Sequence, residues 1–346
     1  ILPTILESVN LAIVILNYNG RIHLENYIEN IISHSTGYDL IIADNASTDD
    51  SVAYIKQFKE IQLIEISSNL GFAGGYNEAL NRIKGTYDYY LLLNSDVEVS
   101  ENWIAPLVAA MDDEQVAACQ PKIKSLQRKE FFEHAGASGG YVDKNYFPFC
   151  RGRIFGELEK DDGQYDGSQY ITWTSGATML IRSDLFHHVD GFDADFFAHM
   201  EEIDLCIRLG HQGHQFKVVP KSVVYHLGGG TLPYNSPQKI YLNFRNSLFM
   251  IAKNHKGILL PMLFKRMLID AIAAYKFLFE GKFLFFWKVF LAHMALYKNL
   301  GTLLKKRAQL KKDRTPILKY HGNILTSFFI ERRKTFSKLN KRLIKS

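Results

Sequence analysis

The chain has 346 residues, is 47% hydrophobic and 13% aromatic, and carries a formal net charge of +5. That length and apolar content can bury a large core and exclude a disordered or fibrous polymer. The charge is divided: residues 1–239 hold 18 Lys+Arg against 32 Asp+Glu, a net −14, and residues 240–346 hold 23 against 4, a net +19. A basic portion on an otherwise acidic protein points to an anionic partner for that portion.

In chain order, Leu11–Asn17 (LAIVILN) reads as a buried strand that stops at a polar turn. Helical spacing of apolar residues follows over Ile22–Ser33, then a second strand over Asp39–Ser47 (DLIIADNAS). Ser47 with Asp50 predicts an N-cap and a helix through Phe58. Ile61–Ile66 is a third strand, NLGFAGG leads into a helix near Tyr76–Lys84, and DYYLLLNSD is a fourth strand. Near-continuous apolar strands alternating with helices predict an α/β fold whose parallel sheet is covered on both faces. In such sheets ligands bind at the carboxyl ends of the strands, where Asn17, Asp44, Asn69 and Asp96 fall. Beyond Lys122, GASGGYVDKNYFPFCRGRIFG predicts irregular hairpins, ITWTSGATMLIR a turn and strand, and EEIDLCIRLG a helix ended by Gly210. FKVVPKSVVYHLGGG returns to strand, and after Pro237 the chain reads as helical.

Several of these residues could carry chemistry. Asp44, just past a buried strand, can accept hydrogen bonds from a base or a ribose, or can simply cap its own turn at Ala46 or Ser47. The glycines of Asn69–Asn77 let backbone approach a ligand, although they do not form a GxGxxG pattern. Asp96 at a strand end, with Asn94 beside it, suits Mg2+ or Mn2+, which prefer oxygen ligands. Glu201, Glu202 and Asp204 crowd one helix entrance. Asp204 and Arg208 stand at i,i+4 and should pair, which leaves Glu201 or Glu202 as a general base. His226, between an apolar strand and Gly228-Gly229-Gly230, is either a metal ligand or an ordinary strand-end histidine.

Six ordered motifs resemble glycosyltransferase family 2, in its rhamnosyltransferase-like branch. They are NYNG, DNASTD, NLGFAGGYNEAL, LLLNSDVEV, SGATMLIRSDLFHHVDGFDADFFAHMEEIDLCIRL and VYHLGGGT, and they cover about Leu11–Thr231. The resemblance implies the GT-A fold over residues 1–239, a nucleotide-diphosphate sugar donor (dTDP-rhamnose or a UDP-hexose) and inverting transfer of one sugar. It implies that Asn17, Asp44, Asn45, Asn69, Gly71, Gly74, Gly75, Asn77 and Asn94 form the nucleotide side. It gives the Mg2+ or Mn2+ to Asp96 and His226, the sugar side to Trp173, Gly176 and Asp204, and the base to Glu202, with Glu201 beside it. Two departures stand out: Glu202 replaces the usual Asp, and NSD replaces DxD. QKIYLNFRN lacks the QxxRW of processive members, so single-sugar transfer is expected.

Residues 240–346 include KFLFEGKFLFFWKVFLAHMALYKNL, where Lys282, Lys288 and His293 interrupt every apolar run. No stretch reaches the roughly 18–20 residues of a spanning helix, so amphipathic helices on an anionic membrane surface are expected. Such a location suits a glycan acceptor on a lipid, whereas the acidic first portion would repel nucleic acid. The three cysteines, Cys119, Cys150 and Cys206, form no CxxC pair, and ILPTILESVN lacks the features of a signal peptide. A peripheral location on the cytoplasmic face of a bacterial membrane is therefore expected. Two other readings stay open: a sugar nucleotidyltransferase, and an inactive carbohydrate- or lipid-binding protein on the same fold.

Overall fold

The structure is a computed structural model and describes residues 9–133, 136–228, 236–310 and 315–345. In chain order come β1 (Leu11–Asn17), α1 (Arg21–His34), β2 (Asp39–Asp44), α2 (Ser51–Ile55), β3 (Ile61–Glu65), α3 (Gly71–Arg82), β4 (Tyr89–Asn94), β5 (Val97–Val99), α4 (Ala105–Ala110) and β6 (Val116–Ser125). Four short strands follow, β7 (Gly140–Val142), β8 (Pro148–Cys150), β9 (Arg153–Ile154) and β10 (Glu157–Leu158). Then come β11 (Gln169–Ile171), β12 (Thr178–Arg182), α5 (Ser183–His188), α6 (Glu201–Gly210) and β13 (Gln215–His226). The last part holds α7 (Pro237–Asn254), α8 (Leu259–Phe279), α9 (Phe283–Gln309), β14 (Lys319–Tyr320) and β15 (Ile344–Lys345).

The central sheet runs β11-β13-β6-β12-β4-β1-β2-β3, with β5 paired to β13. β1 pairs in parallel with both β2 and β4, β2 with β3, and β6 with β13, while β12 runs antiparallel between β4 and β6. The central strands β1, β2 and β4 are nearly continuous apolar runs because both faces of the sheet are covered there. Alternation within each strand sorts the side chains. Ala12, Val14, Ile41, Ala43 and Leu92 face one cluster, with α3 and α6. Leu11, Ile13, Ile15, Leu40, Ile42, Leu91 and Leu93 face the other, with α1 and α4. Between β1 and β4 the strand order changes direction, which opens a crevice beyond their carboxyl ends.

Three elements depart from the sequence reading. The helix predicted from Ser47 through Phe58 is only Ser51–Ile55, because Ser47 is held instead by the Asp44 loop: its N–H donates to Asp44 Oδ2 at 2.9 Å. α3 starts at Gly71, not near Tyr76, so the glycine-rich stretch is its first turn. Gly71 has φ +71°, and a Cβ there would come within 2.6 Å of the Phe197 carbonyl oxygen. Finally, the long helices of the tail end at Gln309, and beyond it the described residues hold only short helical turns at Thr326–Ile330, Phe336–Lys338 and Lys341–Leu343. Residues 315–345 fold back on the hairpins β7–β10. There Phe336 stacks on Tyr141 with ring centroids 5.2 Å apart, and the Ile324 N–H donates to Asp143 Oδ2 at 3.0 Å. The boundary expected at residue 239 falls inside the first turn of α7, and α7 residues share one apolar cluster with the sheet.

Candidate active site

A cavity of about 580 Å3 lies beyond the carboxyl ends of β1 and β4, within the range of small-molecule sites. Strand ends supply Asn94, Asp96 and His226; the first turn of α3 supplies Gly71; the start of α6 supplies Glu201 and Glu202. Asn45, Asn69, Trp173 and Gly176 complete this group of expected residues. The others stand back from the lining. Asp44 is buried behind it: its Oδ1 accepts from Asn17 Nδ2 at 2.9 Å and its Oδ2 holds the Ser47 N–H. Gly74 and Gly75 pack inside α3, the latter against Leu16 and Asn45. Asn77 exchanges two hydrogen bonds with the Phe192 backbone and ties α3 to the loop before α6. Asn45 lines the cavity, yet its amide is spent on Asn69, Leu70 and Gly71.

Asp204 is likewise placed away from the cavity. It is fully buried and accepts from Arg208 Nε (2.8 Å), Lys253 Nζ (2.9 Å) and Asn254 Nδ2 (2.7 Å), so it fastens α6 to α7. Burial alone would push its carboxyl up, but the Lys253 ammonium and the Arg208 guanidinium outweigh that and hold it down at about 2.

Glu201 and Glu202 have no such cations. Each has a buried Oε2 that accepts no hydrogen bond among the described residues. Burial, then the neighbouring Glu202, raises Glu201 well above the usual carboxylate range, and burial pushes Glu202 up to about 7. The backbone ahead of them is strained: Phe197, His199 and Met200 all have positive φ, each worth about 1–3 kcal/mol. Asn246, fully buried in α7, holds that segment. Its two amide hydrogens are shared among the carbonyls of Phe196 (3.0 Å), Ala198 (2.8 Å) and His199 (2.7 Å), and Arg245 takes the carbonyls of Asp195 and Phe196. His199 lines the same cavity, and burial lowers its imidazole to about 4.

At the strand ends His226 Nε2 lies 3.1 Å from Asp96 Oδ1, and its Nδ1 lies 3.3 Å from the buried Glu133 carboxylate. Burial opposes the charged imidazole, but Asp96 and Glu133 raise it to about 10. Reading the sequence missed Glu133, Asn246 and His199. His199 has a local signal in the acidic helix entrance that follows it; the other two reach the site from distant segments.

The model of glycosyl transferase family 2 matches residues 12–171, a span that takes in β1 to β4 and Asp96. Residues 12–171 thus form a family 2 glycosyltransferase domain. Among curated relatives it is 22% identical over 262 residues to the N-acetylglucosaminyl-diphospho-decaprenol L-rhamnosyltransferase of Mycobacterium tuberculosis (strain H37Rv), covering 71% of this chain and 85% of that one. It is 25% identical over 222 residues to rhamnosyltransferase WbbL of Escherichia coli K12, covering 62% and 82%. The mannosyltransferase PcManGT of Pyrobaculum calidifontis, solved with GDP-Man and Mn2+, superposes with a TM-score of 0.51 at 14% identity, covering 87% of this chain and 80% of that one. The glycosyltransferase therefore has the GT-A fold expected from its sequence, with a helical C-terminal region.

In this glycosyltransferase the residues fit a divalent cation in one respect. Ligands at neighbouring corners of an octahedron with bonds of about 2.1 Å stand roughly 3 Å apart, close to the 3.1 Å between Asp96 Oδ1 and His226 Nε2, and a cation there would displace the proton that Asp96 and Glu133 hold on the imidazole. Among the described residues, however, no group of three His, Cys, Asp or Glu is arranged around one point. Remaining positions would thus fall to ligands other than these side chains.

Proposed function

We propose that this glycosyltransferase moves a single sugar, with inversion, from a nucleotide-diphosphate sugar to a hydroxyl of a lipid-linked glycan acceptor in bacterial surface polysaccharide synthesis. The observation that carries the reading is Glu202. It lies at the start of α6 in the same cavity as Asp96, has one oxygen with no hydrogen-bond partner among the described residues, and is raised to about 7. A base poised near neutral pH both holds a useful fraction ionised and takes a proton readily. Glu201, held neutral by burial and by Glu202, leaves Glu202 as the base. Its oxygen accepts the acceptor's proton as the hydroxyl attacks the anomeric carbon on the face opposite the diphosphate. One displacement gives inversion.

Asp96 and His226 are the residues to hold Mg2+ or Mn2+, with Asn94 in support, its Nδ2 3.4 Å from His226 Nε2. When bound, the cation would neutralise charge that builds on the leaving diphosphate. Asn69 and the Gly71 turn, with Asp44 and Asn17 behind them, form the nucleoside side, and Trp173 and Gly176 the sugar side. The names of the rhamnosyltransferase relatives favour dTDP-rhamnose over a UDP-hexose.

The exposed face of α8 and α9 supports a membrane location. Between Ile258 and Leu304 the large exposed apolar side chains include Phe264, Ile272, Phe279, Phe283, Trp287 and Phe290, with Phe279 87% exposed. Exposed large apolar side chains gathered on two consecutive helices mark an interaction surface. With the +19 charge of residues 240–346, it suits an anionic bilayer. No helix among the described residues is long and apolar enough to cross a membrane.

Calorimetric titration with UDP, dTDP and GDP, each with and without Mn2+ or Mg2+, tests the donor reading. Binding of one nucleotide that strengthens with the cation is expected. No binding of any by folded protein would contradict it and favour a non-catalytic binding protein.

A further inference from the structure

The catalytic cavity has a neighbour across one helix. A groove of about 270 Å3 lies between α7 and α9, and its walls include Tyr241, Lys288, Leu291, Met294, Ala295 and Lys298. α7 is the partition: Lys239 and Asn243 line the catalytic cavity, while Tyr241 lines the groove. Both openings therefore flank the first two turns of α7, one helix width or about 10–12 Å apart.

The groove is amphipathic in an ordered way. Lys288 Nζ stands 5.8 Å over the Tyr241 ring, and neither Lys288 nor Lys298 has an acidic partner among the described residues. Two ammonium groups beside an apolar floor, Lys288 half-buried and Lys298 exposed, suit an anion that itself carries an apolar chain. Beyond the groove the apolar surface continues along α9 through Phe290 and Trp287, 41% and 50% exposed.

We infer that this groove binds the phosphorylated head of a lipid. Lys288 and Lys298 take the phosphate or diphosphate, Leu291, Met294 and Ala295 take the first units of the chain, and the chain leaves along the exposed face of α9. The inference rests on the reading above only in naming that lipid as the acceptor, whose sugar then passes over the first turn of α7 to Glu202.

The probe is farnesyl diphosphate below its micellar concentration, titrated calorimetrically into the full chain. It should bind, should not be displaced by dTDP or UDP, and should bind about tenfold or more tighter than farnesol or inorganic pyrophosphate, since both halves of the groove are used. The double substitution Lys288→Glu/Lys298→Glu, and separately Ala295→Trp, which fills the groove, should each weaken it about tenfold or more. Nucleotide binding should be unchanged in both. Equal affinity in both variants, displacement by a nucleotide, or equally tight pyrophosphate would overturn the site. Lost vesicle binding with unchanged farnesyl diphosphate affinity would reduce the lysines to general membrane contacts and also overturn it. A chain that holds farnesyl diphosphate in this way yet binds no nucleotide would refute the donor reading and leave the groove standing.

Discussion

At the scale of single residues, the proposed chemistry rests on a carboxylate oxygen with no hydrogen-bond partner among the described residues and on a buried amide that holds the backbone in front of it. Glu202→Gln should cost about 10²–10⁴ in kcat with nucleotide affinity unchanged. The wild-type rate should fall on the acid side of about pH 7, where Glu202 takes up a proton. The same shift has a stability sign. A carboxyl raised in the folded state favours folding while protonated, and that advantage is lost as pH rises from its unfolded value of 4.5 through about 7. Glu202→Gln should thus match or exceed wild-type stability above pH 7 in urea unfolding; a less stable variant there would contradict the assigned environment. Asn246→Asp replaces an amide that donates to three carbonyls by an acceptor that repels them. It should lower kcat while nucleotide titrations stay near wild type, and an unchanged kcat would show that the strained turn holds itself. Asp96 and Glu202 were legible because each sits at a strand end or helix start, where local pattern marks a polar residue. Asn246 and Glu133 were not, because a buried Asn inside a helix and a Glu after two phenylalanines carry no local mark of what they meet.

At the scale of elements, α6 is fixed by a charge network, not by apolar contact alone. Lys253 of α7 reaches Asp193 at 2.5 Å and Asp204 at 2.9 Å, and Lys306 of α9 reaches Asp193 at 2.5 Å and Asp195 at 2.6 Å. Lys253→Met leaves buried Asp204 short of a cation and should cost about 3–5 kcal/mol at neutral pH. Because Asp204 is depressed to about 2, its contribution is present above its unfolded pKa of 3.8 and is lost as pH falls through 2. The gap between wild type and variant should narrow over that acid range in denaturant titrations; a gap independent of pH would place the cost elsewhere. Strand order and helix positions could be read from the apolar runs of β1, β2 and β4. The Ser47 helix start could not, because Ser47 met a partner from β2 that outweighed its local preference. The i,i+4 pairing of Asp204 with Arg208 was visible in the sequence, whereas Lys253, from another helix, was not.

At the scale of the whole molecule, the basic helical portion shares one of the two apolar clusters with the acidic sheet portion. The charge split was plain in the sequence, but the return of residues 315–345 onto the β7–β10 hairpins was not, since Phe336 and Ile324 find distant partners there. Co-sedimentation with vesicles containing anionic lipid should be strong at low salt and weaken as salt rises. Phe279→Ser/Phe283→Ser/Trp287→Ser should weaken it while leaving unfolding stability near wild type, because all three side chains are half or more exposed. Unchanged vesicle binding in that variant would move the contact away from the α8–α9 hairpin.

One group in one cavity carries the proposed chemistry, so the most direct measurement is single-turnover sugar transfer by wild type and Glu202→Gln across about pH 5–9. The nucleotide is followed by calorimetry on the same samples. With Glu202 as the base, the wild-type rate rises through about pH 7, the variant is slowed at least about a hundredfold without that rise, and the two bind nucleotide equally. A variant that transfers at the wild-type rate, or keeps the same pH profile, would show that Glu202 is not the base.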